Sequence, residues 1–322
     1  MNKISCKTKV KGPKGDIYVL HQDISFDNKY AAFSTFWKIF IMDIEKGTVI
    51  RELEFSRAER TTSTPFCFFH RSSRLAFPDG ENLLIHNIET DESYYIPLPD
   101  GAGWTDCIAV NPSDTCIAYK SCNGSNDIRL NRNGDIVSLG GNNDTLDDKI
   151  FIYDVVSGKC LNILHVPYPH VRGIQVSISK NMKFVDDDTL LIFRKAYGFS
   201  YFNIKSGIET KLLDWTKKGF PFGRFGDAKI YKNGRFVLFN NATPTPGSVI
   251  CDNNGIPIEY SVPIPEGLEY ILYDIQEEKI ICRRKLGETQ LTFHPETKQF
   301  AYINAKRDED YKYKEFLCID RI

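Results

Sequence analysis

Apolar residues along this chain fall in short runs, alternating or continuous, each closed by a polar turn. The three-and-four spacing of an amphipathic helix is nearly absent, so the pattern predicts strands throughout. One unit recurs: an apolar strand, a tight polar turn, and a second strand ending in small or aromatic residues. It reads ISFDNKYAAFS at 24–34, FCFFHRSSRLAF at 66–77, CIAVNPSDTCIAY at 107–119, MKFVDDDTLLIF at 182–193, AKIYKNGRFVLF at 228–239, YILYDIQEEKIIC at 270–282 and LTFHPETKQFAY at 291–302. The turns carry Asp, Asn, Ser, Gly or Pro, whose backbone preferences suit tight hairpins. A second unit follows many of these: a strand ending near Asp or Asn, a turn with Gly in four of the five, then another strand. It reads KIFIMDIEKGTVIREL at 38–53, NLLIHNIETDESYYIPL at 82–98, KIFIYDVVSGKCLNIL at 149–164, FSYFNIKSGIETKLL at 199–213 and VICDNNGIPIEYSV at 249–262.

The two units alternate, giving four strands every 40 to 50 residues or roughly that, the size of a propeller blade. The chain therefore reads as an all-β protein, a single β-propeller domain over residues 1–322. Seven four-stranded blades are expected, with six as the alternative. The last run, KEFLCID at 314–320, matches the third strand of a blade without a fourth. ISCKTKV at 4–10 is expected to supply it, closing the ring by pairing the N- and C-terminal strands and so removing exposed sheet edges.

VNPSDTCIAY (110–119) and FHPETKQFAY (293–302) resemble the first hairpin of WD40-type and TolB-type propeller repeats. KIFIMDIEKG (38–47) and KIFIYDVVSG (149–158) resemble the strand and turn that follow it in those families. The Trp-Asp dipeptide is missing: Asp43 and Asp154 stand near its place without the Trp, and the Gly-His pair of WD40 units is missing too. The resemblance implies a propeller with degenerate repeats, used as an interaction platform or an accessory domain.

Composition narrows the function classes. Aromatic residues reach 13%, with 22 Phe and 16 Tyr, a load suited to half-buried strands. A net charge of -1 gives none of the basic excess expected of a nucleic-acid binder or of a protein held to anionic membranes. The N-terminal MNKISCKTKVKGPKGD has no apolar core of a secretory signal, and no run approaches a membrane span, so a cytoplasmic protein is expected. Nine cysteines include no CxxC pair and sit mostly in apolar runs, as buried reduced thiols do.

In a propeller, connections between first and second and between third and fourth strands share one rim. The remaining connections share the other. The predicted long connections all fall in the second class, including 56–64, 166–172, 216–227 and an insertion at 122–148. Loops on a rigid scaffold are where binding residues sit. Aromatic and Arg side chains favoured at interface hot spots are present there: Arg57, Arg60, Trp104, Tyr168, His170, Arg172, Phe220, Phe222, Arg224 and Phe225. Chemistry is less well marked. Asn143, Asp144, Asp147 and Asp148 offer oxygen ligands, but not at EF-hand spacing. His165 and His170 fit no rigid metal motif. No GxSxG elbow and no phosphate-binding loop appears. No catalytic residue, metal or cofactor is expected. The leading expectation is a non-catalytic scaffold holding a protein or peptide partner on the long-loop face. The alternative is a lactonase-like or glycan-acting propeller enzyme with a site at the mouth of the central channel.

Overall fold

The structure, a computed structural model, describes residues 21–35, 38–55, 65–98, 105, 107–121, 129–130, 136–138, 147–167, 178–194, 198–214, 224–231, 234–242, 250–251, 257–258, 268–286, 291–294, 298–307 and 313–321. These form antiparallel strands and turns, with no helix. Five four-stranded blades follow one another as in a β-propeller. Blade one is β1 (His21–Ile24), β2 (Tyr30–Ser34), β3 (Lys38–Asp43) and β4 (Thr48–Glu54). Blade two is β5 (Cys67–Phe68), β6 (Arg74–Asp79), β7 (Asn82–Asn87) and β8 (Ser93–Pro97). Blade three opens with β9 (Ile108–Val110) and β10 (Cys116–Ser121). A small hairpin, β11 (Arg129–Leu130) with β12 (Ile136–Ser138), is inserted before β13 (Asp147–Asp154) and β14 (Cys160–Pro167) complete the blade. Blade four is β15 (Ile178–Phe184), β16 (Thr189–Arg194), β17 (Gly198–Asn203) and β18 (Glu209–Asp214). Blade five opens with β19 (Arg224–Tyr231) and β20 (Phe236–Ala242). A second detached hairpin, β21 (Ile250–Cys251) with β22 (Pro257–Ile258), precedes β23 (Leu268–Asp274) and β24 (Lys279–Leu286). A three-stranded sheet ends the chain: β25 (Leu291–His294), β26 (Gln299–Arg307) and β27 (Tyr313–Arg321).

Among the described residues there are five four-stranded blades, not the seven or six expected. The expected excess arises at one place. The sequence reading makes 249–262 the outer half of blade five and 270–282 the start of a further blade. In the structure the first is the detached β21–β22 hairpin, two residues per strand with Pro257 in one of them. The second is the outer half itself, pairing Phe236–Asn241 with Glu269–Asp274. Tyr270, Ile271, Leu272 and Tyr273 are buried in succession, as befits a strand flanked in its sheet on both sides and packed between blades. The final run does occupy a third-strand position, in the order β25-β26-β27. The N-terminal segment expected to pair with it lies outside the described residues. The insertion at 122–148 is shorter than expected at its end, because β13 begins at Asp147, and part of it is the β11–β12 hairpin.

The core lies between blades rather than inside them, and the two-residue strand period explains why. Along β13, Phe151 and Tyr153 pack toward blade two with Leu83, Ile85 and Ile96. Ile150 and Ile152, on the other face, pack toward blade four with Phe184, Leu190 and Ile192. Along β16 the same alternation sends Leu190 and Ile192 toward blade three, and Leu191 and Phe193 toward Val237 and Ile271 of blade five. Each such side chain contributes about 1.5–3 kcal/mol when fully buried.

The turns between third and fourth strands repeat one device. Each third strand ends in Asp or Asn, whose side-chain oxygen accepts amides of its own turn. Asp43 takes Lys46 N, Asn87 takes Glu89 N and Thr90 N, Asp154 takes Ser157 N, Asn203 takes Lys205 N and Ser206 N, and Asp274 takes Gln276 N and Glu277 N. The residue four positions on is left-handed in all five: Gly47 (φ 64), Asp91 (φ 62), Gly158 (φ 67), Gly207 (φ 71) and Glu278 (φ 50). This is an Asx turn followed by a left-handed residue, a local structure the side chain specifies by competing for backbone amides.

Candidate functional site at the channel mouth

The first strands of successive blades touch: β1 with β5, β5 with β9, β9 with β15, and β15 with β19. They are the innermost strands. Asp23, Cys67, Ala109 and Lys183 each stand next to last in their strands, in blades one to four. The turns that follow converge. Phe26, in the first turn of blade one, stacks on His70, in the first turn of blade two, with ring centroids 3.6 Å apart. Lys183 of blade four reaches the same ring, its Nζ 5.6 Å from the Phe26 centroid. The Met182 amide meanwhile bonds to the Cys107 Sγ of blade three at 3.3 Å. Side chains from blades one, two and four thus meet at this mouth.

A belt of hydrogen bonds holds the turns in place. The buried carboxylate of Asp114, in blade three, accepts His70 N at 2.7 Å, Arg71 N at 2.9 Å and the Ser72 hydroxyl at 3.1 Å, all in blade two. Asp187, in blade four, accepts Ser113 N of blade three at 2.8 Å. Asn111 completes the tie, donating to the Asp187 carbonyl while its own oxygen accepts Thr115 N and Cys116 N. His70 donates from Nε2 to the Val110 carbonyl at 3.2 Å, which fixes its tautomer with Nδ1 unprotonated. Burial, aided by the nearby Lys183 charge, holds the His70 pKa below the ordinary imidazole value.

The electrostatics single out Lys183. Burial lowers its pKa, and Asp23 opposes that shift. Asp23 itself accepts the Ile24 amide at 2.8 Å. Cys67 is no rival as a reactive group, since burial pushes its thiol pKa well up. Among the described residues no group of three or more His, Cys, Asp or Glu is placed to hold a metal ion.

A concavity of about 430 Å³ lies elsewhere, between blades three and four, lined by Cys116, Leu161, Asn162, Asp188 and Lys205 among others. Its polar groups are spoken for. Asn162 donates to the Ile204 and Lys205 carbonyls at 2.8 and 3.2 Å, and Lys205 pairs with Asp188 at 2.6 Å. Burial raises the Cys116 thiol pKa. This cleft is a satisfied seam between blades.

The residues expected at the binding face are placed differently. Arg57, Arg60, Trp104, Tyr168, His170, Arg172, Phe220 and Phe222 lie outside the described residues. Arg224 and Phe225 are described only as backbone, opening β19 and facing Ala242 and Asn241. Asp23, Phe26, His70 and Lys183 escaped the sequence reading. A signal for them exists in the aligned first hairpins. Next-to-last in the first strand, where blades two and three have Cys67 and Ala109, blades one and four carry charges of opposite sign.

No protein-family model matches the chain, and no curated protein matches it in sequence. By structure, 1197 solved chains match, a breadth that marks a widely shared architecture. One is Kuenenia stuttgartiensis hydrazine synthase: TM-score 0.53, 14% identity, covering 93% of this chain and 76% of that one. At that identity the likeness is one of fold alone, and a propeller fold hosts unrelated functions.

Proposed function

We propose that this chain is a non-catalytic scaffold, a degenerate relative of WD40-like and TolB-like propellers, that holds a protein or peptide segment on one rim. The observation that carries the reading is the strand order. Every connection between first and second strands, and between third and fourth, fits in four or five residues, for example 25–29, 44–47 and 185–188. The long connections, 55–66, 98–107, 122–146, 168–177, 215–223 and 243–267, all leave from the other end of the strands. That end carries the chain's spare length, while the short-turn end is tied by Asp114 and Asp187. Arg57, Arg60, Trp104, Tyr168, His170, Arg172, Phe220, Phe222, Arg224 and Phe225 all lie on or beside those long connections and are the residues proposed to contact the partner.

The test compares two variants in affinity capture from the source cytoplasm, quantified by mass spectrometry. One carries Arg57→Glu, Arg60→Glu, Phe220→Ser and Phe222→Ser. The other carries Glu45→Lys and Val156→Ser, changes confined to the short-turn rim, where Val156 is 91% exposed. Loss of the same partner from the first variant alone supports the reading. Equal capture by both, with both folded by circular dichroism, overturns it.

A further inference from the structure

We propose that the channel mouth is a binding site for a small oxyanion, a carboxylate or phosphate, received by Lys183. This goes beyond the scaffold reading and does not depend on it. The argument begins with what surrounds the ammonium. Lys183 leaves β15 one residue before its end and lies against the Phe26 ring, in the region where the inner strands converge. Among the described residues its ammonium makes neither a hydrogen bond nor an ion pair; its contacts are the cation–π approach to Phe26 and the longer-range attraction of Asp23. Lys183 is half-buried, and its ammonium carries three donors that the surrounding protein leaves to water or to a guest. Every other polar group at this mouth has a stated partner: His70 holds Val110, Asp114 holds three donors, and Asp23 holds Ile24 N. His70 Nδ1 and the second oxygen of Asp23 add acceptor capacity, and the Lys183 ammonium is the cationic donor left over among them.

The surroundings limit the guest. The stacked Phe26 and His70 rings offer a flat apolar wall. Asp23, at the same strand position in blade one, repels a guest whose charge lies toward it and favours one that presents a hydroxyl or ammonium on that side. A compact anion with one oxyanion group fits; a polyanion such as a nucleic-acid backbone does not.

The experiment uses the full chain at pH 7 with inorganic phosphate and, separately, sodium acetate as probes, and sodium chloride at matched ionic strength as control. Thermal unfolding is followed for the wild type, Lys183→Arg and Lys183→Met. A saturable rise in Tm of about 2–5 °C is expected for the wild type and Lys183→Arg with at least one probe, and none for Lys183→Met. Independently, amine acetylation read by peptide mass spectrometry should label Lys183 about fivefold more slowly when that probe is bound. If phosphate favours binding and acetate does not, the guest is a phosphate; the reverse identifies a carboxylate. No rise with either probe beyond chloride, an equal rise in Lys183→Met, or unchanged Lys183 labelling overturns the assignment. The labelling readout holds even if Lys183→Met fails to fold.

Discussion

Asp114 joins blades two and three through one carboxylate, and removing it should cost more than any other single change on the short-turn rim. Its side chain accepts two backbone amides at 2.7 and 2.9 Å and the Ser72 hydroxyl at 3.1 Å, and is itself buried. Truncation to Ala leaves the His70 and Arg71 amides without an acceptor, at about 1–3 kcal/mol each. Asp114 also sits at φ 63. An Ala there adds about 1 kcal/mol of left-handed strain. The sum for Asp114→Ala is about 3–7 kcal/mol. Asp114→Gly removes the same bonds but not the strain component, so it should cost about 1 kcal/mol less. Asp114→Asn keeps one acceptor oxygen and tolerates the left-handed backbone, and should cost about 1–2 kcal/mol. Equilibrium urea unfolding of the three variants, followed by circular dichroism, gives the order Ala, Gly, Asn from most to least damaging. Ala and Gly both within about 0.5 kcal/mol of wild type, or Asn as costly as Ala, would refute the carboxylate as the tie.

Three further outcomes are expected. At Gly234 (φ 80) an added Cβ would lie 2.2 Å from Val185 Cγ1 of the neighbouring blade, so Gly234→Ala should cost about 2–4 kcal/mol in a thermal melt, and Val185→Ala should recover part of it; Gly47, with open space around it, should lose only about 1 kcal/mol on the same change. His86 is buried against Ser93, and burial, with a smaller push from Arg51, holds its pKa below the ordinary value despite Asp91. The unfolded chain therefore takes up that proton first, and the His86 contribution is complete above about pH 6.5 and declines as pH falls toward the depressed folded value. His86→Gln should flatten the stability profile between about pH 6.5 and pH 5, and parallel profiles would count against this assignment. Asn162→Ala, which frees the Ile204 and Lys205 carbonyls at the seam between blades three and four, should cost about 1–2 kcal/mol by urea titration.

The strand class and the hairpin pairing were legible because they rest on local chemistry. Asp43, Asn87, Asp154 and Asn203 mark their turns in the sequence as they do in space, each ending a third strand. The blade number was misread where that local signal had a decoy. CDNNG at 251–255 carries the Asp and Gly of the second unit but belongs to a detached hairpin. The true fifth instance, YDIQEEK at 273–279, has no Gly, as blade two has none, and Glu278 takes the left-handed place at φ 50 where Asp91 does in blade two. The channel-mouth residues were hidden for a different reason. Asp23 and Lys183 are 160 positions apart in the chain, and only strand register brings them to equivalent places.

The belt from His70 through Asp114 and Ser113 to Asp187 lies wholly on one edge of the blades. Cohesion and variation are therefore assigned to opposite edges. Lengthening or recomposing a segment such as 122–146 or 243–267 leaves every one of those clasps untouched. A lineage carrying this chain is free to try new sequences there one insertion at a time without first re-securing the contacts between its blades.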